Sequence, residues 1–433
     1  MDQPLPPGSA ERLYRRTLWR LLLPIAALTF VNALDRMNVS FAGQQLSVAA
    51  GLAPTDFGLG VSAFFVAYLL FQYPHAWLLR RVGIRLWLFL SMCVWGISGL
   101  LMSRVEDFGD FLAARFLLGV AEAGFAPGMT WYISRWTTAE TRARAMAVAL
   151  AAVPFSLVVG GPLCGALLGM ANPLGLEPWR WMFLVSALPN FLFAVLAAAW
   201  FVDRPSQARW LSAGEAQVLE SGGAAAPDAV GVVPLAGRRQ GLVALCAAAW
   251  LLVMTGSYAL VYWLPQIVRQ LALARSEWLI GLLSALPQAA LVAGLFLNAR
   301  HSDRSGERLH HTAAGALLAG LSLLLAVQLQ DGTAILLLLA VAGLGFGATQ
   351  GVFWTLPQAM GLGGGGGVPL GVIAVISMAG TAGGIIGPSM LGRLKETSGG
   401  HETGIQVLAG FLILAAALLW SWHVVRSRQE AGA

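Results

Sequence analysis

The sequence predicts an all-α membrane protein of twelve transmembrane helices in two six-helix halves, both termini cytoplasmic, and three observations carry that prediction. The first is composition: of the 433 residues 57% are hydrophobic and 11% charged, with a mean hydropathy of +0.71, whereas soluble domains carry about a quarter charged residues. The second is the spacing of apolar runs. A helical span needs about 20 apolar residues, and about twelve segments meet that rule, centred near Phe30, Val66, Trp95, Leu118, Val158, Phe193, Met254, Leu286, Leu317, Val341, Gly380 and Leu414. None alternates as the strands of a closed barrel must. The third is an internal echo. Arg81-Val82-Gly83-Ile84-Arg85 recurs as Arg304-Ser305-Gly306-Glu307-Arg308, and Gly161-Pro162 as Gly387-Pro388, both offset by about half the chain, as in folds built from two repeated halves.

Taken in order, residues 1–17 form a cytoplasmic tail, in which Met1 to Ala10, with Pro4, Pro6 and Pro7, is expected to be disordered. Residues 18–202 form the N-terminal six-helix bundle, 203–240 a cytoplasmic linker, 241–424 the C-terminal six-helix bundle and 425–433 a second tail. The linker opens with PSQARWLSAGEAQVLE, where Trp210, Leu211, Val218 and Leu219 are spaced for a short amphipathic helix. It continues through a Gly/Ala/Pro-rich run, Ser221 to Pro234, that reads as a flexible tether. The run Gly361 to Gly367, GLGGGGG, lacks the Lys-Ser/Thr of a nucleotide loop and follows no strand, so it reads as a mobile connector.

The net charge of +6 sorts by side of the membrane. Arg12, Arg15, Arg16 and Arg20 precede the first span, and Arg80, Arg81 and Arg85 follow the second. Arg135, Arg142 and Arg144 follow the fourth, Arg204, Arg209, Arg238 and Arg239 the sixth, Arg300, Arg304 and Arg308 the eighth, and Arg426 and Arg428 the twelfth. The opposite connections hold only Arg104, Arg180, Arg269, Arg275, Arg393 and Lys395. By the positive-inside rule both termini are cytoplasmic. The basic excess therefore reports topology and argues against a nucleic-acid partner. Cys93, Cys164 and Cys246 fall within spans and make neither a disulfide framework nor a metal site. The histidines show no metal spacing, and no cofactor is implied. The first apolar run is too long for a signal peptide, carries charge at its centre and has no cleavage site behind it, so it is expected to stay in the mature chain.

That charge is the informative part. Asp35 and Arg36 sit in the middle of the span from Leu18 to Leu46. On insertion scales each costs roughly 2.5–3.5 kcal/mol at the centre of a helix, against about 0.3–0.6 gained per Leu, Ile, Phe or Val. Neighbours on a helix point about 100° apart, so each must find its partner elsewhere, in a wet or protein-lined interior. A second intramembrane pair, Arg115 and Glu122, lies seven residues apart in the fourth span and so on one helical face.

Two R-x-G-x-R loops, Arg115 in RFLLG and the Gly-Pro pair of the fifth span together resemble the major facilitator superfamily. LDRMN, GVAEAGFAPG (Gly119 to Gly128), WRWMFL (Trp179 to Leu184), DRPSQARWL, YWLPQI (Tyr262 to Ile267), RHSDRSGER and FWTLP (Phe353 to Pro357) narrow the resemblance to its anion:cation symporter family, in order along nearly the whole chain. The resemblance implies proton-coupled transport of a small organic anion, not enzymatic turnover, with Asp35 and Glu122 as the protonatable carboxylates and Arg36 meeting the substrate's carboxylate. The residues agree. A carboxyl in low dielectric can load and release a proton near physiological pH, while arginine stays charged and offers a planar fork. Tyr68, Tyr258 and Trp354 match cavity-lining positions, Asn38 is placed to orient Arg36 or a substrate hydroxyl, and Arg115 is expected to brace the bundle. Arg81, Gly83, Arg85, Asp303, Arg304, Gly306 and Arg308 form the loop latches, and Gly161, Pro162, Gly387 and Pro388 the hinges.

Departures qualify the substrate. Arg80 stands where the first loop motif usually has aspartate and His75 where glycine is usual, so that latch is weak or rebuilt from other residues; the aspartate survives in the second copy as Asp303. Ala33 replaces a tyrosine of sugar-acid members and Ser377 a common asparagine, which tilts the expectation from polyhydroxy acids toward a less polar or aromatic carboxylate. The expected protein is a monomer in the lipid bilayer that imports an organic anion with protons by alternating access. Gly160-Gly161-Pro162 keeps a proton-coupled exporter as the alternative, and a non-transporting nutrient sensor is disfavoured by the short tails.

Overall fold

The structure, a computed structural model, describes residues 9–223, 238–363 and 368–431. Helix dominates these residues, and there is no strand among them. The first half holds α1 (Ser9–Thr17), a π-helical turn (Leu18–Leu22), α2 (Leu23–Ala49), α3 (Pro54–Met102), α4 (Phe108–Glu122), α5 (Phe125–Arg135), α6 (Ala139–Gly169) and α7 (Pro178–Trp200). After α8 (Ala213–Gly223) the second half follows: α9 (Arg238–Gln270), α10 (Glu277–Ser305), α11 (Leu309–Ala326), α12 (Gly332–Phe353), α13 (Leu356–Ala359), α14 (Leu370–Ser398) and α15 (Glu402–Ala431). Among the described residues, eleven helical segments are long and apolar enough to cross a membrane.

The longest, α3, has 49 residues. At 1.5 Å per residue it would reach about 74 Å, more than twice a hydrocarbon core about 30 Å thick. It does not run straight. Gly83 interrupts it at φ 79° and ψ 169°, a conformation that a Cβ would strain. Asp203 packs its carboxylate against this glycine and accepts from the Arg85 backbone N–H at 3.4 Å. The Arg85 Nε and Nη2 donate to the Ala198 carbonyl at 3.0 and 2.7 Å. The acidic partner that Arg80 displaces from the first loop motif thus comes from the far end of the first bundle. His75 is buried where glycine is usual, its Nδ1 accepting from Trp87 Nε1 at 3.1 Å. Between α4 and α5 stands a glycine, Gly124, where a Cβ would strike the His75 side chain.

Several expected boundaries move. Ser9 and Ala10, expected to be disordered with the tail before them, open α1; residues 1–8 lie outside the described residues. The linker helix begins at Ala213, so Trp210 and Leu211 precede it. Trp210 instead stacks on Trp136 with centroids 5.7 Å apart, and Arg16 donates to its carbonyl at 3.0 Å and pairs with Glu215. Ser221 to Gly223 complete α8, while the rest of the expected tether, 224–234, lies outside the described residues, as do 364–367 of the glycine run. The final helix runs to Ala431, through most of the expected second tail.

The halves meet through α3 with α14, α6 with α10, and α2 with α9. Glycines let backbones touch there. A Cβ on Gly58 would sit 2.5 Å from the Pro388 carbonyl, one on Gly161 2.5 Å from that of Gly281, and one on Gly165 2.5 Å from that of Glu277. Such close approach of small residues is how membrane helices associate without a hydrophobic drive. Hydrogen bonds join the halves in the same region: Ser62 Oγ with Ser389 Oγ at 2.6 Å and with the Ile385 carbonyl at 2.7 Å, Gln45 Nε2 to Glu277 at 3.2 Å, and the Thr55 N–H to Glu396 at 3.1 Å. All of these lie toward the end that carries the 50–53, 271–276 and 399–401 connections, which is therefore shut.

Candidate functional site

The two charges of α2 leave the helix in different directions, as their 100° separation requires. Asp35, 6% exposed, accepts from Asn190 Nδ2 of α7 at 2.6 Å. Arg36 turns to α4, where its Nε and Nη2 donate to Glu122 Oε2 at 3.2 and 2.9 Å. Glu122 has no solvent exposure, whereas the Arg36 side chain keeps 24% of its surface open. The pair is therefore sealed on the acid side and open on the basic side. Its exposed face is roofed by aromatic rings, with the Arg36 Cζ 5.1 Å from the centroid of Phe64 and 5.3 Å from that of Tyr68, a geometry in which the ring quadrupole favours the cation.

Arg115 approaches the same Phe64 ring, its Cζ also 5.1 Å from the centroid. It is buried, its Nε and Nη2 have no hydrogen-bond partner, and neither does Glu122 Oε1. The helical spacing puts Arg115 and Glu122 on one face, but the close ion pair of Glu122 is with Arg36. The second half completes the surroundings: Phe65 packs on Tyr258 at 4.6 Å and on Tyr262 at 5.9 Å, and the Tyr262 side chain adjoins Arg115. Tyr262 beside the buried guanidinium and Asn32 beside the Glu122 carboxyl are the nearest polar side chains, and they leave part of the hydrogen-bonding capacity of both groups unused.

Of the residues expected at the site, Asp35, Arg36, Glu122, Tyr68 and Tyr258 come together with Arg115. Asn38 does not orient Arg36. Three residues on from Asp35, it shares that residue's face and donates to Ser186 of α7 at 3.3 Å. Trp354 lies past the end of α12, 42% exposed, against Trp250 at 5.3 Å, and Ser377 is exposed on α14. Asn190, Ser186, Phe64, Phe65 and Tyr262 were not singled out as site residues. Asn190 carried a readable signal, a side-chain amide inside an apolar span; the aromatic residues carried none, because aromatics are common in spans.

The loop and hinge residues also find partners. Arg81 lies over Trp77 at 5.0 Å. In the second loop Arg308 pairs with Asp303 at 2.6 Å and donates to Ser302 Oγ at 3.0 Å, Gly306 takes the left-handed cap of α10 at φ 70°, and Arg304 is exposed. Burial would push the Glu307 carboxyl up, but donation from the His310 backbone and from the His311 and His310 side chains holds it at about 2. Gly387 faces the Thr255 carbonyl, and the Pro388 carbonyl accepts from Trp263 Nε1 at 3.3 Å. Gly161, with Pro162 beside it in α6, abuts Gly281 of the other half.

Residues 25–388 match the sequence model of the Major Facilitator Superfamily. A candidate tartrate transporter of Agrobacterium vitis is 37% identical over 408 residues, 94% of this chain and 93% of that protein. A quinolone resistance transporter of Acinetobacter baumannii is 31% identical over 420 residues, 96% of each chain. Among solved structures, a bacterial homologue of the human lysosomal transporter Spinster, in an inward-facing and occupied conformation, superposes with a TM-score of 0.77 at 17% identity, covering 94% of this chain and 96% of that one. At that identity the likeness speaks for the fold alone.

Proposed function

Because the chain belongs to the Major Facilitator Superfamily and is thus a multi-pass membrane transporter rather than an enzyme, we propose that it carries a small organic anion together with protons by alternating access. The observation that carries this reading is the half-open ion pair of Arg36 with Glu122 among aromatic groups from both halves. In that arrangement a substrate carboxylate competes with Glu122 for the Arg36 fork. Protonating Glu122 removes the internal competitor and leaves Arg36 for the substrate; losing the proton restores the pair and expels the anion. Coupling then needs no more than one guanidinium shared by two carboxylates, one fixed and one mobile. Asp35, held by Asn190 on the other side of α2, is assigned a second proton. The residues expected to line the path remain Tyr68, Tyr258, Trp354, Ser377 and Asn38, the last through Ser186.

Counting α3 as two crossings, on either side of Gly83, gives twelve spans and puts both termini and the linker on one side. The basic excess on that side argues for the cytoplasm of a bacterial inner membrane. The shut end is then the outer one, and the protein stands inward-facing. A relative named for tartrate makes hydroxycarboxylates the first compounds to try, and the hydroxyls of Tyr68, Tyr258 and Tyr262 offset the polar group absent at Ala33.

Proteoliposomes test the assignment. Asp35→Asn is expected to keep counterflow exchange but lose gradient-driven accumulation, and Arg36→Ala to lose both. Equal loss in the two variants would refute the division of roles. A proton-coupled exporter is the second reading, favoured by the relative named for quinolone resistance; an outwardly directed, proton-driven flux in oriented vesicles would decide for it.

A further inference from the structure

At the shut end lies a half-open space of its own. A cavity of about 280 Å3 is lined from the first half by Gln44, Ser47 and Phe57 and from the second by Trp263, Gln266 and Lys395. Gln44 lies eight residues beyond Arg36 on α2, about 12 Å along the helix, so this is not the chamber of the Arg36 pair. Its size exceeds what a lone water or halide needs, about 10–15 Å3 on the same measure for a water. A polyatomic ligand fits it better.

Its chemistry is cationic and amidic. The Lys395 ammonium stands 4.8 Å from the Trp263 ring centroid and donates to Gln266 Oε1 at 3.2 Å. Gln266 is 9% exposed, and its Nε2 has no hydrogen-bond partner. The acids nearby are engaged elsewhere. Glu277 takes two Arg269 nitrogens at 2.6 and 2.7 Å, which cancels that cation, and Glu396 accepts from the Thr55 N–H. Among the described residues that line the cavity none is acidic, and Lys395 is held there by the Gln266 carbonyl over the Trp263 ring. Oxyanions answer that set, since a carboxylate can bring an oxygen to an ammonium that no acidic side chain of the lining neutralises.

We propose that this cavity is a second anion site, which binds a small carboxylate at the shut mouth independently of the Arg36 pair. Both halves line it, so a bound anion ties them together and favours the conformation in which this end is closed. On the inward-facing reading, carboxylate on the outer side slows reopening toward that side.

The full-length protein, labelled with 5-fluorotryptophan, gives a local readout once the Trp263 fluorine resonance is assigned by its loss in Trp263→Phe. Sodium acetate and sodium tartrate are titrated against sodium chloride at matched ionic strength. A saturable shift with the carboxylates is expected, retained in Lys395→Arg and weakened roughly tenfold or more in Lys395→Gln. Gln266→Leu, which removes the amide without touching the charge, is expected to weaken it as well. The shift is also expected to survive in Arg36→Ala, which separates this site from the transport reading. Absence of a saturable shift overturns the proposal, as does an equal response to chloride, full retention in Lys395→Gln, or loss in Arg36→Ala.

Discussion

Replacing Gly281 by valine is expected to reopen the shut end. A Cβ built on Gly161 meets the Gly281 carbonyl oxygen at 2.5 Å, and one built on Gly281 comes closer still to the carbonyl of Gly161. Neither obstacle is a side-chain tip that can swing away; both are main chain of the facing helix. A valine at 281 therefore has to push α6 and α10 apart. Overpacking of this kind costs about 1–3 kcal/mol, and the cost falls only on the conformation in which the two helices touch. The equilibrium between shut and open should move by about 5- to 150-fold. Spin labels on Val48→Cys and Glu402→Cys, both exposed at this end and one in each half, would report it as a longer distance by double electron resonance in a background lacking Cys93, Cys164 and Cys246. Gly410→Val is the control, because nothing lies within 4 Å of a Cβ there. A folded Gly281→Val variant with an unchanged distance distribution would show that this contact does not hold the halves.

Other outcomes follow from the site and the loops. Glu122→Gln leaves the Arg36 guanidinium without its counter-charge; the loss of thermal stability should fall at or below the low end of the roughly 3–5 kcal/mol seen for fully buried pairs, since Arg36 is partly open. Gly83→Ala should cost about 1–3 kcal/mol, because φ 79° with ψ 169° lies in a region essentially reserved to glycine, and Asp203→Ala should raise hydrogen exchange at the Arg85 amide, its donor. His401 is held neutral: burial, and then the Lys395 charge, push it down to about 3. The unfolded chain takes up that proton below about pH 6.5 and the folded site refuses it until about pH 3, so stability should fall between pH 7 and 5 by on the order of 2 kcal/mol. His401→Gln should flatten that slope, measured as melting temperature in detergent. Finally, if Asp35 and Glu122 both load, a monocarboxylate moves one positive charge and gains about 2.3 kcal/mol per 100 mV, whereas a dianion moves none. An imposed potential should accelerate uptake of the first only, and a response common to both would refute two-proton loading.

Much of this molecule could be read from its residues, with definite exceptions. Long apolar runs mark the spans because a lipid-facing helix has no other composition open to it, and the cost of Asp35 and Arg36 in such a run pointed to the site. The pairing did not follow. A seven-residue spacing puts Arg115 and Glu122 on one face of α4, but only the packing of α2 against that face decides that Arg36 takes the carboxylate. Asn38 does not orient Arg36 for a similar reason, since its register with Asp35 commits it to α7. The replacement at Arg80 was legible as a loss, while its remedy, Asp203, lies more than a hundred residues away and no local pattern announces it. Trp354 and Ser377 were chosen by likeness, and the chamber they would share with Arg36 is not drawn together by their own contacts.

Asp203 touches the first hairpin and also stands just past α7, at the head of the segment that runs on through Trp210 into α8. A displacement of that segment is therefore expected to be met first at Gly83, where α3 leaves helical geometry. The bend within α3 is thus fastened to the place where the chain leaves the first bundle, like a cord tied back on its own post.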